Sequence, residues 1–428
     1  MSKLPGYFYR LAGYANISCT RNIGTETNIN PTQETFSFLT TSLSTMIRLR
    51  AIQNKTRKLF EGMSDIHYRL QFHHDLSPAG WYLGHGIFIE NYWLHEVIQS
   101  DNQFTADKSL FFARNCPLFE RGPRLPVLQP LVEEISAQQD SNDLLLMEKS
   151  PPLSEHPLFK DEYIENFIIQ HYAQHYESIY MVLNQIALKK HNRDKVNHPY
   201  KPESTLKPLA LIKNISHINS GDYYIGGEWP FSLDKELPSH EIQLDDFFIA
   251  NTPITNAQYL LFIEDNGYKN KNFWTDAAWQ WRESNKILHP EYWSQNKHKQ
   301  WYGINHMGPY ELNSNDPVYG ISHHEASAFA KWAGARLPHE HEWETAARLE
   351  LIKCTTSVWE WCSNPLYPYK GFKFFPYEDQ LPPGFDNKHY VLKGASPHTR
   401  PEIKRASFRN AYQPHQRHIF AGLRLVFE

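Results

Sequence analysis

Between Thr41 and Phe60 the apolar residues Met46, Leu49, Ile52 and Leu59 recur at helical spacing among arginines and lysines, which predicts an amphipathic helix. Similar periodicity marks three further segments, around 79–99, 126–140 and 159–190, and four helices of this length predict a bundle. Past Lys190 the pattern changes. The stretch 191–207 is basic, polar and broken by Pro199 and Pro202, the composition of a linker. From 208 to 428 short β-like runs alternate with Gly, Pro, Asn and Asp, and helices stand out at 255–265 and 322–333, so this half is expected to be α+β. Residues 1–40, rich in Asn, Thr and Ser without sustained periodicity, are expected to form a poorly ordered extension. An irregular arm packed through Tyr7, Phe8, Tyr9 and Leu11 is the other reading of that stretch. The division that follows is extension 1–40, helical bundle 41–190, linker 191–207 and α+β domain 208–428.

A chain of 428 residues exceeds one ordinary hydrophobic core, which agrees with two folded parts. The net charge of −4 gives no electrostatic preference for nucleic acid or an anionic membrane, so neither is expected as a partner. No apolar window has the length to span a bilayer, and the N-terminus lacks the pattern of a secretory leader. Cys19, Cys116, Cys354 and Cys362 form no Cys-x-x-Cys pair, in keeping with a reducing compartment, and a cytoplasmic location is expected. Aromatic residues make up 14% of the chain, with 12 Trp and 24 Tyr, which points to irregular, aromatic-packed architecture beside the helices.

Metal chemistry enters with His171-Tyr172-Ala173-Gln174-His175-Tyr176-Glu177, where two imidazoles four apart share one helix face. His85, at the end of Ser77-Pro78-Ala79-Gly80-Trp81-Tyr82-Leu83-Gly84-His85, is a third candidate. Three histidines can hold a cation and leave positions open for chemistry. Two solvent-facing helix histidines and one unrelated core histidine would satisfy the same spacing.

In the second half the segments Gly221-Asp222-Tyr223-Tyr224-Ile225-Gly226, Pro253-Ile254-Thr255-Asn256, Ala335-Arg336-Leu337-Pro338-His339-Glu340-His341-Glu342-Trp343-Glu344, Val358-Trp359-Glu360-Trp361, Leu392-Lys393-Gly394-Ala395-Ser396 and Phe420-Ala421-Gly422-Leu423-Arg424 follow one another in a characteristic order. Together they resemble the formylglycine-generating-enzyme-like domain, a variant of the C-type lectin fold. Formylglycine generation itself needs a cysteine pair after the Gly-Gly-Ser-like turn. Thr399 and Lys404 stand there instead, which excludes that reaction. The first half resembles a DinB-like four-helix bundle. The fusion is similar to the ergothioneine sulfoxide synthase family and its close relative, selenoneine synthase. The family pattern Pro-x-x-Trp-His-Leu-Gly-His is present from Pro78 to His85 with Tyr82 replacing one His, and His-x-x-x-His-x-Glu is present as His171, His175 and Glu177.

The resemblance implies a multi-domain fold, an all-α DinB-like bundle followed by an α+β formylglycine-generating-enzyme-like domain. It also implies a non-heme Fe(II), O2-dependent enzyme joining sulfur or selenium to C2 of the imidazole of Nα-trimethylhistidine, with His85, His171 and His175 as iron ligands. Glu177 would be a supporting or surface carboxylate rather than a ligand. Gln174 and Asn410 match positions that touch the substrate imidazole, and Tyr377 matches a tyrosine that supplies a proton during oxygen chemistry. Gln380 stands where the family often has another tyrosine. Arg121 and Arg124 are candidates to clamp a carboxylate of the sulfur or selenium donor, or else solvated surface residues. Trp81, Tyr82, Tyr377 and Tyr412 are candidate aromatic faces for the quaternary ammonium, or else packing residues. The shortened segment between Ala347 and Val358 points toward the selenoneine branch. Two alternatives stay open: a zinc-dependent DinB-type thiol transferase, and a catalytically silent binding module.

Overall fold

A computed structural model describes residues 31–113, 115–192, 200–211, 214–377 and 384–428. The chain divides into two units, 1–43 and 44–428. Of the first, only the helical backbone of 31–43 is described, so the expected extension lies mostly outside the described residues, as do the linker positions 193–199 and Gln380. The first helix begins at Pro31 rather than near Thr41.

The helices of the first half are α1 (Pro31–Lys58), α2 (Asp65–Arg69), α3 (Ala79–Asn91), α4 (Leu118–Arg124), α5 (Leu128–Glu148), α6 (Pro151–Ser154) and α7 (Tyr163–Asn192). The four long ones, α1, α3, α5 and α7, are those the periodicity predicts. Every residue of α3 is buried, so this helix forms the centre of the bundle. The helical segment expected around 79–99 continues past α3 through a π-helical stretch, Tyr92–Val97, and regains α-helical form at 98–99. Gly86 lets α3 approach α7, since a Cβ there would lie 2.4 Å from the Tyr172 ring. That approach sets His85 beside the next helix's histidines.

Among the described residues of the second half short strands carry loops and four α-helices, α8 (Asn256–Glu264), α9 (Asp276–Ser284), α10 (His323–Trp332) and α11 (Glu340–Arg348). Thr255–Gln258 and Ser322–Glu325 form capping boxes that start α8 and α10 where the pattern placed them. Strands β1 (Ile215–Ile218), β2 (Gly221–Ile225), β3 (His240–Leu244), β4 (Phe247–Ala250), β5 (Trp293–Gln295), β6 (Trp301–Asn305), β7 (Gly308–Tyr310), β8 (Val358–Pro365), β9 (Tyr390–Ala395), β10 (Asn410–Tyr412), β11 (Ala421–Gly422) and β12 (Val426–Phe427) form four sheets. Their orders are β1-β4-β12, β2-β3, β5-β6-β7 and β10-β9-β8-β11, with β8–β11 the parallel pair.

The motifs of this half are buried ion pairs. Arg409 makes two 2.7 Å bonds to Glu340, Arg424 bonds Glu360 at 2.7 and 2.8 Å, and Lys393 reaches Glu344 at 2.9 Å, all six side chains being fully buried. Trp343 donates its indole N–H to the same Glu360. Such pairs fix geometry because losing one partner strands a charge in the interior.

Within residues 44–428 the two halves share one apolar core, from Leu49 and Ile52 through Ile168 and Ile169 to Leu423 and Leu425. Glu177 on α7 joins them: its buried carboxylate accepts hydrogen bonds from Trp359 Nε1 at 2.9 Å, Thr399 Oγ1 at 3.0 Å and Ser396 Oγ. One position that would carry a thiol in formylglycine chemistry, Thr399, thus docks onto the bundle. Among the described residues no helix is long and apolar enough to cross a membrane.

Candidate active site

Residues His171 and His175 lie one turn apart on α7, and their Nε2 atoms face each other at 3.2 Å. His85 arrives from α3 with its ring centre 4.9 Å from each of theirs. One nitrogen from each of the three imidazoles lies within 4.8 Å of the others. The Nδ1–H of His85 donates to the Phe111 carbonyl at 2.6 Å, which leaves the Nε2 lone pair free. Burial holds His85 and His171 well below the ordinary histidine value and His175 at about 4, so all three are neutral at pH 7. Nδ1 of His171 and of His175 is buried without a hydrogen-bond partner. Three neutral imidazoles with converging nitrogens and no carboxylate fit iron(II) and zinc alike.

Beside this cluster lies a cavity of about 460 Å³, within the range of small-molecule sites. His85, His171 and Gln174 from the bundle line it together with Tyr377, Asn410 and Tyr412 from the second half. Six of the sequence-predicted residues, three from each half, therefore line one cleft. Tyr377 packs edge-on against Trp93, ring centres 4.9 Å apart. Gln174 donates to the Gln170 carbonyl at 3.3 Å, and Asn410 Oδ1 accepts from the Ala411 amide at 3.0 Å.

Four expected contacts are placed elsewhere. Trp81 is buried behind the histidines, stacked on His85 at 4.2 Å with its indole N–H on the Leu110 carbonyl. Tyr82 lies against His175, and its hydroxyl accepts from the Ser77 amide at 3.3 Å. Neither lines the cavity, so the aromatic faces there are Tyr377 and Tyr412 with Phe112, Phe167 and Phe375. Arg121 is buried, donating to the Cys116 and Ala113 carbonyls at 3.0 Å and to Ser77 Oγ at 2.6 Å, with its guanidinium 3.8 Å over the Trp81 ring. Arg124 is half exposed and faces Glu120 at 3.6 Å. Neither guanidinium lines the cavity, because α4 packs against the opening of α3 and directs Arg121 inward to satisfy loop carbonyls.

The charged groups of the cavity are two that the sequence did not disclose, Asp234 and Lys235, on a single 3-10 turn between β2 and β3. Burial lowers the Lys235 ammonium to about 8, and burial raises the Asp234 carboxyl. A lone Asp-Lys dipeptide in a loop carries no periodicity and no ligand spacing.

Residues 203–353 and 349–428 match the Sulfatase-modifying factor enzyme 1-like domain, more than half of the chain, and define the class of protein to which this fold belongs. The hercynine oxygenase of Mycolicibacterium thermoresistibile is 27% identical over 433 residues, covering 88% of this chain and 93% of that protein. Those of Mycobacterium tuberculosis and Mycolicibacterium smegmatis are 32% and 31% identical, each over 46% of this chain and over 56% and 57% of their own lengths. The chain belongs to that domain family, and its similarity to the hercynine oxygenases, which in one of them runs over most of both chains, marks it as an enzyme of the oxidoreductase type.

Proposed function

We propose that this protein is a non-heme iron(II), O2-dependent synthase that forms a C–S or C–Se bond at imidazole C2 of Nα-trimethylhistidine. The observation that carries the reading is the convergence of three neutral imidazole nitrogens, two of them from histidines that line a cavity walled by both halves. In this reading 41–190 and 208–428 are the two domains, His85, His171 and His175 hold the metal, and the enzyme works in a reducing cytoplasm, in keeping with free thiols at Cys116, Cys354 and Cys362. Iron(II) would supply open coordination positions for the donor and for dioxygen.

The chain's own residues do the rest. Gln174 and Asn410 can address the two imidazole nitrogens of the substrate without adding charge. Lys235 pairs its carboxylate, while Tyr377 and Tyr412 offer aromatic faces to the quaternary ammonium. Tyr377 Oη gives a proton to oxygen as it is reduced; a phenol is neutral at pH 7 and can donate. The reaction balances as thiol, imidazole C2–H and O2 giving the sulfoxide and one water, or the selenium equivalents.

The position of Arg121 and Arg124 away from the cavity favours a donor without several carboxylates, such as a sugar-borne selenol or thiol. Anaerobically purified protein loaded with iron(II) should consume O2 and release product only when trimethylhistidine and a donor are both present. Tyr377→Phe should suppress the sulfoxide or selenoxide product and leave substrate affinity nearly intact. A zinc-loaded protein that transfers thiol without O2, or undiminished product from the Tyr377→Phe variant, would overturn the reading.

A further inference from the structure

A second group of metal-capable side chains lies outside the cavity. His73, His74 and Asp75, between α2 and α3, place one ligand atom each within 4.8 Å of one another. From the second half, His415 brings its Nε2 to 3.9 Å from Asp75 Oδ2, the same oxygen that His74 Nε2 approaches at 3.4 Å. That oxygen is buried and accepts no hydrogen bond, although two imidazole nitrogens face it. Two nitrogens and a carboxylate oxygen around a tetrahedral zinc, with bonds of about 2.0–2.1 Å, lie roughly 3.3 Å apart. The His74–Asp75 edge already has that length, and His415 Nε2, at 3.9 Å from the same oxygen, lies about 0.6 Å beyond it.

The surroundings suit a cation held at a fixed place. His73 stacks on His74 with ring centres 4.4 Å apart and meets the buried His418 at 4.3 Å, so the chain is held at His73 by rings from both halves. His73 Nδ1 accepts the Asp75 amide at 3.2 Å, which shapes the turn that presents Asp75. The side chain of His74 is largely exposed, giving a route for ion and water.

We propose that His74, Asp75 and His415 form a second divalent-cation site, of zinc type, with a fourth position filled by water. Imidazole and carboxylate donors in this ratio suit zinc better than magnesium or calcium, which take all-oxygen shells. The ion would tie the turn leading into α3, which carries His85, to the loop three residues past Tyr412. It would act as a staple between the halves at the edge of the catalytic cleft and take no part in the reaction.

The test separates this site from the three-histidine cluster by removing each in turn. Full-length protein stripped of metal is titrated with zinc against a competing chromophoric chelator, with bound metal counted by mass spectrometry. The wild type should bind two zinc ions per chain, and the His171→Ala/His175→Ala variant should bind one. Adding Asp75→Asn or His415→Ala to that variant should lower the remaining affinity at least tenfold. In the same background, zinc should raise the thermal midpoint only while Asp75 and His415 are intact. His415→Gln, which retains polarity and size, serves as a second variant and should behave as His415→Ala if the imidazole is a ligand. No zinc bound to the His171→Ala/His175→Ala protein, or unchanged affinity after loss of Asp75 or His415, would overturn the proposal.

Discussion

Glu177 makes the docking of α7 open to a quantitative test. Its carboxylate is 3% exposed and is the common acceptor for Trp359, Ser396 and Thr399, all in the other half of the molecule. In Glu177→Ala the Trp359 indole N–H loses its acceptor in a dry interface, at about 1–3 kcal/mol. The two hydroxyls can rescue one another, since Thr399 Oγ1 lies 3.3 Å from Ser396 Oγ, but one donor stays unpaired and a cavity remains. The sum is about 3–5 kcal/mol, a large fraction of the roughly 5–15 kcal/mol that holds a typical domain together. Glu177→Gln behaves differently. Its carbonyl can serve Trp359 and Ser396, which share Oε1, and Thr399 can turn to accept from the new amide and donate to Ser396. Burial raises the pKa of Glu177 and so makes its charge costly, and the amide avoids that cost, leaving a net loss of about 1 kcal/mol or less. Urea unfolding followed by tryptophan fluorescence reads both variants, since Trp359 sits at the interface. Equal destabilisation of the two, or an Ala variant within about 1 kcal/mol of wild type, would refute the account of Glu177 as the docking acceptor.

Two further outcomes follow from the cavity and its wall. Lys235 is charged below about pH 8 and neutral above it, so kcat/KM for trimethylhistidine should fall about tenfold per pH unit above 8, relative to a Lys235→Met variant whose low value lacks that step; matching profiles would remove Lys235 from substrate binding. Arg121→Ala should cost about 2–4 kcal/mol of stability, because three hydrogen bonds and a stacked ring are lost, while the KM values for donor and trimethylhistidine keep their ratio; a selective rise for the donor would restore the carboxylate clamp.

Much of this molecule is written in short-range pattern. The four long helices follow from apolar residues at helical spacing, because a bundle helix must turn one stripe inward whatever its neighbours are. The capping boxes at Thr255 and Ser322 start their helices locally, through side chains that satisfy the first amides. The facing of His171 and His175 is likewise a property of one helix. The helical segment expected around 79–99 is present over that span, its ladder passing through a π-helical stretch at Tyr92–Val97 that apolar spacing does not reveal.

What tertiary structure alone decided is which side chains face the cavity. Trp81, Tyr82 and Arg121 lie close in sequence or space to the histidines, yet packing against Leu110, Ser77 and Cys116 turns them behind the imidazoles. Asp234 and Lys235 enter the cavity from a loop with no pattern of its own, and Asp75 meets His415 from the far end of the chain. Periodicity and capping act over a few residues and can be read along the chain. Burial of a charge, the sharing of an acceptor and the closing of a cleft depend on which distant segments arrive at the same place, and that is set by the packing of the two halves on one core.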